Sequence, residues 1–283
     1  MSLTTATPTT PMTGERLPAA AWKRLRALVT VELKMLLRNG VNVFYAVAMG
    51  PMMVLFLSQL PHIKAQAELA PRGGLATMLT ALLLINSLGI GIYYNLTTAT
   101  VARRESLVLK RLRSGEARAT EILAAIATPN LILLALQLVL VLGAVSWALG
   151  APRFTNALAI LLSLGLGSLF FTLCALLTAS GTRTVESAQM TTMPGIMGFL
   201  VLSGLLIPLS AMPERVREIF QLLPVAPVSD LLMIGLNGTT LDGRVLDGAA
   251  SWGAMLSPAL VLGCWCLAGI WLLRRMMRWE PIR

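Results

Sequence analysis

Side chains able to do covalent or metal chemistry are sparse in this chain. Its four lysines, Lys23, Lys34, Lys64 and Lys110, never follow a glycine or precede Ser/Thr, so no P-loop cradles nucleotide phosphates. The single histidine, His62, sits beside Pro61 and reads as an ordinary loop residue; one histidine supports neither an HExxH metal site nor a membrane-buried Ser–His pair. Cys174, Cys264 and Cys266 all lie in apolar runs, and the last two fall on different sides of a helix, so neither a disulfide frame nor a metal site follows. A lipid-modifying membrane enzyme would need clustered acids or histidines at the interface, whereas Glu186, Asp230, Asp242 and Asp247 stand isolated. The interiors of the long apolar runs lack acidic residues, which disfavours an ion- or proton-coupled carrier. Their uncharged polar residues, Asn86, Asn95, Gln137, Asn156 and Gln189, serve either helix–helix hydrogen bonding or the lining of a path.

One segment gathers charge and pattern together. Arg103 to Arg118 reads RRESLVLKRLRSGEAR, in which Glu105, Val108, Leu109 and Leu112 fall at i, i+3, i+4 and i+7. That spacing predicts one narrow helical face inside a cationic stretch. Two readings follow: a basic loop that only sets topology, or a short surface helix that offers its Glu/Leu face to a soluble partner.

The elements that must position this segment are membrane spans. The chain has 283 residues, 56% hydrophobic and only 13% charged, where soluble domains carry roughly 25% charge. Residues 1–21, rich in Thr, Pro and Ala, are expected to be a disordered tail without the apolar core of a signal peptide. From Trp22 to Arg38 the apolar residues cover one side of a helical wheel and Lys23, Lys34 and Arg38 the other, predicting an amphipathic helix in the interface. Glu32 projects from its apolar side and either reaches back to water or pairs with Arg103 or Arg104. Six charge-free runs follow, about 41–60, 75–98, 122–149, 155–180, 189–210 and 252–273, each near the ~20 residues that span a bilayer. The predicted fold is therefore an all-α integral membrane protein with six transmembrane helices, residues 22–283 forming one transmembrane domain. Of the 23 Lys and Arg, 17 fall on the N-terminal segment, the 103–118 loop, Arg183 and the C-terminal segment, and 6 on the alternate loops. By the positive-inside rule both termini and the basic loop face the cytosol of a cell membrane.

Between spans five and six, Pro208, Pro213, Pro224 and Pro227 cut an apolar stretch into pieces too short to cross. Met212–Leu223 and Val228–Leu236 are expected to be short helices in the outer interface or dipping into the protein as re-entrant pieces. Here the chain resembles the membrane permeases of ABC-2 type ABC transporters. The resemblance rests on Ser203-Gly204, Pro208, Met212-Pro213, Leu222-Leu223-Pro224, Pro227 and Asp230-Leu231, in the family's order. VELKMLLRN, residues 31–39, resembles the family's interfacial N-terminal helix, with Glu32 and Arg38 in usual places. The 103–118 segment resembles its coupling helix, although Ser106-Leu107 stands where the family often has Gly-Thr, and Gly115-Glu116 where it often has Pro.

The resemblance implies a permease working as a homodimer or heterodimer with two cytosolic ABC ATPase subunits, which hold the ATP and Mg²⁺; this chain itself is expected to hold no cofactor and to bind no nucleic acid. It implies that Glu105, Val108, Leu109, Arg111, Leu112 and Arg113, with Glu32, contact or relay motion from the ATPase: Glu105, Arg111 and Arg113 through charge, Leu109 and Leu112 by filling its groove. It places Asn86, Asn95 and Gln189 nearest a substrate path. The expected cargo is a lipophilic, drug- or antibiotic-like small molecule, moved outward among membrane lipids by alternating access. Export of lipid or lipid-linked polysaccharide is the alternative within the family.

Overall fold

With no water in the hydrocarbon region, each backbone N–H and C=O must be satisfied within the chain, and for apolar runs of this length a helix is the answer. The computed structural model describes residues 17–277, except 39, 63–64, 66–73, 115–118, 151–153 and 206–211. Its helices are α1 (Leu17–Arg38), α2 (Gly40–Phe44), a π-helical turn (Tyr45–Met49), α3 (Gly50–Leu57), α4 (Gly74–Asn86), a second π-helical stretch (Ser87–Tyr94), α5 (Asn95–Glu105), α6 (Val108–Arg113) and α7 (Ala119–Leu149). Then come α8 (Ala157–Gly181), α9 (Val185–Leu202), α10 (Glu214–Leu222), α11 (Val225–Asn237), α12 (Gly248–Ala254) and α13 (Leu256–Met276). Among the described residues the only extended pairing is one isolated bridge, Thr239 to Val245.

Four stretches are long and apolar enough to cross a membrane: Ala76–Glu105, Thr120–Leu149, Ala157–Gly181 and Gly248–Met276. They correspond to the expected runs 75–98, 122–149, 155–180 and 252–273, the first of them carried on as helix to Glu105. The other two expected spans differ. Run 41–60 is divided into α2, the π turn and α3, of which Val47–Leu57 is a short apolar helix. Run 189–210 appears as the 18-residue α9, whose first two turns carry Glu186, Ser187, Gln189, Thr191 and Thr192 and so dilute its apolar character. Residues 206–211 of that run, and residues 1–16 of the expected tail, lie outside the described residues; Leu17–Ala21 are the first residues of α1.

The prolines act where the sequence places them. α10 and α11 meet at Pro224 with a bend of 93°. Pro227 falls in the first turn of α11, where its missing N–H costs no helical hydrogen bond. α11 is buried along most of its length and packs against α8. α8 is the hub of the bundle: Phe170, Phe171 and Leu176 share one apolar core with Leu88, Ile92, Val228, Leu231 and Leu262. Tyr93, Phe171 and Phe199 meet edge to face, at centroid separations of 5.0 Å for Tyr93–Phe199 and 4.8 Å for Phe171–Phe199. Small residues set the closest crossings: a Cβ on Gly50 of α3 would lie 2.8 Å from Val141 Cγ2 of α7.

Candidate functional site

The charged residues of the 103–118 segment are distributed by a break in the helix. α5 stops at Glu105 because Ser106 Oγ turns back to the carbonyls of Ala102 (2.9 Å) and Arg103 (3.3 Å), competing with continuation of the helix. Leu107 then takes a left-handed conformation, φ 60°, and α6 leaves in a new direction. The expectation of one helix carrying Glu105, Val108, Leu109 and Leu112 on a single outward face is thereby corrected. Leu109 is fully buried within the chain's own core, which also holds Ile122 and Ile126 of α7, and Leu112 packs against that core. Leu109 is therefore not free to fill a partner's groove, and Leu112 is only partly open to one. The residues that do face outward are Glu105, Leu107, Val108, Lys110 and Arg111. Arg113 closes α6, and its side chain lies outside the described residues.

Behind this exposed edge stand two buried guanidinium groups. Arg103 donates to Glu32 from both Nε, at 2.8 Å, and Nη2, forming a forked ion pair between α5 and α1. Of the alternatives open for Glu32, the structure therefore selects pairing, and with Arg103. Both side chains are largely shielded, and Arg103 Nη1 also donates to the Ala99 carbonyl at 2.9 Å. Arg104 is 1% exposed and donates from Nη1 to the Ala179 carbonyl, at 2.7 Å, and from Nη2 to that of Thr182. Both carbonyls lie at the C-terminus of α8, that of Ala179 also accepting from Thr182 N at 3.3 Å, and there a cation meets the negative end of the helix dipole. From the sequence Arg104 is a topology charge or an alternative partner for Glu32, and its hold on α8 is not foreseen.

α1, α5, α6 and α8 are thus joined at one end of the bundle, the basic end. The expected path residues are not drawn together. Asn95 returns its amide to the Gly91 carbonyl of its own helix at 3.4 Å, Asn86 is half-buried at the end of α4, and Gln189 is exposed on α9. Among the described residues, none of the three lines any of three cavities of about 250, 840 and 490 Å³. Met190, Met193, Met197 and Val201, spaced along one face of α9, are exposed, as are Phe44, Val47, Met52, Leu55 and Phe56 along α2–α3.

At the opposite end the contacts are of another kind. Asn156 caps α8, its Oδ1 accepting from Leu158 N (3.1 Å) and Ala159 N (3.2 Å), while its amide donates to Ser251 Oγ at 3.3 Å. The Gly235 carbonyl of α11 accepts from the N–H groups of Thr155 (2.8 Å) and Asn156 (3.0 Å). Asn156 is therefore a structural hydrogen-bonding residue. Asp230 accepts from Leu241 N at 2.7 Å, and Asp242 pairs with Arg244 Nε at 2.8 Å while also accepting from Thr240. Partial burial pushes the Asp242 carboxyl up, but the Thr240 hydroxyl and the Arg244 guanidinium outweigh it and hold it below the usual carboxylate value. Among the described residues no group of three or more His, Cys, Asp or Glu could hold a metal.

Comparison with known proteins gives a match of residues 23–237 to the family model described as ABC-2 type transporter. The matched region runs from within α1 to the last residue of α11 and so contains both the basic end and the bent helix pair. A search of curated proteins returns no match.

Proposed function

The chain belongs to the ABC-2 type transporter family, and from this premise we infer how it works. It is a multi-pass membrane permease subunit of an ABC transporter. We propose that it crosses the membrane six times, through α2–α3, α4–α5, α7, α8, α9 and α12–α13, with both termini and the basic end in the cytosol of a cell membrane, and α10–α11 re-entering from outside. The asymmetry of Lys and Arg supports this orientation.

In this reading a separate cytosolic ATPase docks on the edge formed by Glu105, Val108 and Arg111, and its closure pushes on α6. The observation that carries the reading is the forked pair between Arg103 and Glu32, next to the Arg104 clamp on α8. A push on the α5–α6 turn reaches α1 through the first and α8 through the second, without passing through a flexible loop. Two such permeases, packed through the exposed apolar faces of α2–α3 and α9, then rock between inward- and outward-open arrangements. The row of Met190, Met193 and Met197 supports a lipophilic small molecule as cargo, because unbranched thioether side chains adapt to varied apolar shapes. Asn86, Asn95 and Gln189 remain our proposed polar contacts on that route.

The test is co-expression with a candidate ABC ATPase from the same genome, in wild type and in Glu105→Ala/Arg111→Ala. The reading expects wild type to copurify with the ATPase and the double variant to lose copurification or substrate-stimulated hydrolysis while still inserting normally. Retention of both by the double variant would remove this edge as the coupling surface.

A further inference from the structure

A cavity of about 840 Å³, walled by α7, α8 and α13, plays no part in that mechanism. Along α7 it runs from Thr120 to Leu131, and along α8 from Leu176 to Gly165. Twelve residues of helix on either wall, eleven steps, rise about 16 Å, close to half of the ~30 Å hydrocarbon thickness. The slot is therefore as deep as one leaflet. Its walls are mainly apolar: Leu, Ala and Ile side chains dominate, and the hydroxyls of Thr128 and Ser168 are turned onto carbonyls of their own helices, those of Ala124 (2.7 Å) and Gly165 (3.0 Å), with Thr120 and Thr172 the other hydroxyl-bearing residues on the lining.

Its mouth is different. Arg274 lines the cavity at the α13 C-terminal end, is exposed, and has no acidic partner among the described residues. Beside it the Arg275 guanidinium stacks over Trp271, 4.2 Å from the ring centroid, and Trp271 is exposed. A tryptophan with flanking arginines marks the level of lipid headgroups. The slot thus opens at headgroup level beneath a cation and closes near the bilayer midplane.

We propose that it is a binding slot for one anionic phospholipid of the leaflet at the basic end, its acyl chains between α7, α8 and α13 and its phosphate at Arg274. Charge complementarity separates this occupant from a second copy of the chain, whose own Arg274 and Arg275 would meet the same cationic rim. The proposal depends on the chain spanning a membrane and is independent of ATPase docking, cargo and which leaflet is cytosolic.

The test is native mass spectrometry of the full chain in detergent, after incubation with mixed micelles containing phosphatidylglycerol and phosphatidylcholine in equal amounts. Wild type is expected to retain phosphatidylglycerol over phosphatidylcholine by about fivefold, the preference that one basic residue near an anionic surface supplies. Arg274→Gln should abolish the preference and leave chain binding. Gly165→Phe should abolish both, because a side chain there meets nothing within 4 Å and so grows into the slot. Ala124→Phe fills it from the facing wall and serves if the first variant does not fold. Equal retention of the two lipids by wild type, an undiminished preference in Arg274→Gln, or unchanged binding in both filled variants would overturn the proposal. So would efficient disulfide cross-linking of Leu169→Cys between two copies, which would assign this face to a protein interface.

Discussion

At the basic end, α1, α5 and α8 are joined by two guanidinium groups, one forked onto Glu32 and one onto the carbonyls of Ala179 and Thr182. At the opposite end, α8, α11 and α12 are joined by many small contacts: the buried face of α11, the Asn156 cap, and the Gly235 carbonyl that takes two N–H groups. The first kind of joint is concentrated and directional, so a displacement of one side chain is felt by the next helix. The second is spread over many contacts, most of them between neutral groups, and resists displacement anywhere. A permease driven from one side has use for both, a transmitting end and a stiff end, and the predictions below test whether the two differ in this way.

The largest effect should come from overfilling the stiff end. A Cβ at Gly235 would meet Ile160 and stand 3.0 Å from both the Asn156 carbonyl oxygen and the Ile160 nitrogen, and backbone cannot yield as a side-chain tip can. Gly235→Leu is expected to cost more than about 3 kcal/mol and to remove the monodisperse peak in fluorescence-detected size-exclusion chromatography. A wild-type elution profile would show that this end is looser than described.

Arg104→Met comes next. It strips two charge-assisted bonds from the α8 terminus and should lower stability by about 2–4 kcal/mol. Hydrogen exchange should quicken around Thr178–Thr182 and stay unchanged at α11; equal change at both ends would erase the distinction between them. The Leu107 turn offers a change of opposite sign. Replacing a leucine at φ 60° by glycine should raise stability by about 1 kcal/mol, read as a higher midpoint in thermal unfolding, and a lower midpoint would show that Leu107 contributes contacts worth more than its strain.

The smallest effect concerns pH at the stiff end. Asp242 is held below its ordinary value when folded, so the stability it contributes is present above the unfolded pKa and fades as pH falls through the folded one. Because Arg244 is largely open to solvent, the loss should stay within about 0.5 kcal/mol, seen as a slightly steeper acid decline in wild type than in Asp242→Asn. An identical acid decline in the two proteins would leave that pair without a role in stability.

Much of this division was legible in the residues themselves. Apolar run length located the four long membrane helices, and Pro224 located the bend between α10 and α11. The Glu32 anomaly, an acid on the apolar side of a helix, left two outcomes open, return to water or pairing with Arg103 or Arg104, and the fold decides between them. What the sequence concealed depended on distant or subtle competitors. The break at Ser106-Leu107 involves neither Gly nor Pro, only a hydroxyl competing for carbonyls one turn back. An i, i+3, i+4 pattern marks Leu109 and Leu112 as one face, but whether that face turns inward or outward depends on α7, whose approach no local rule states. Arg104 finds carbonyls 75 and 78 residues farther along the chain, and carbonyls leave no mark in composition.

The central claim is that the Glu32–Arg103 fork transmits motion, beyond helping to hold the fold. The direct measurement is substrate-stimulated ATP hydrolysis by the reconstituted complex in Glu32→Arg, in Arg103→Glu, and in the two exchanged together, each paired with a thermal melt. The account predicts that either single variant loses stimulation while the ATPase still copurifies, and that the exchange restores a substantial part of it. Stimulation at the wild-type level in both single variants, or no recovery in a well-folded exchange, would contradict it.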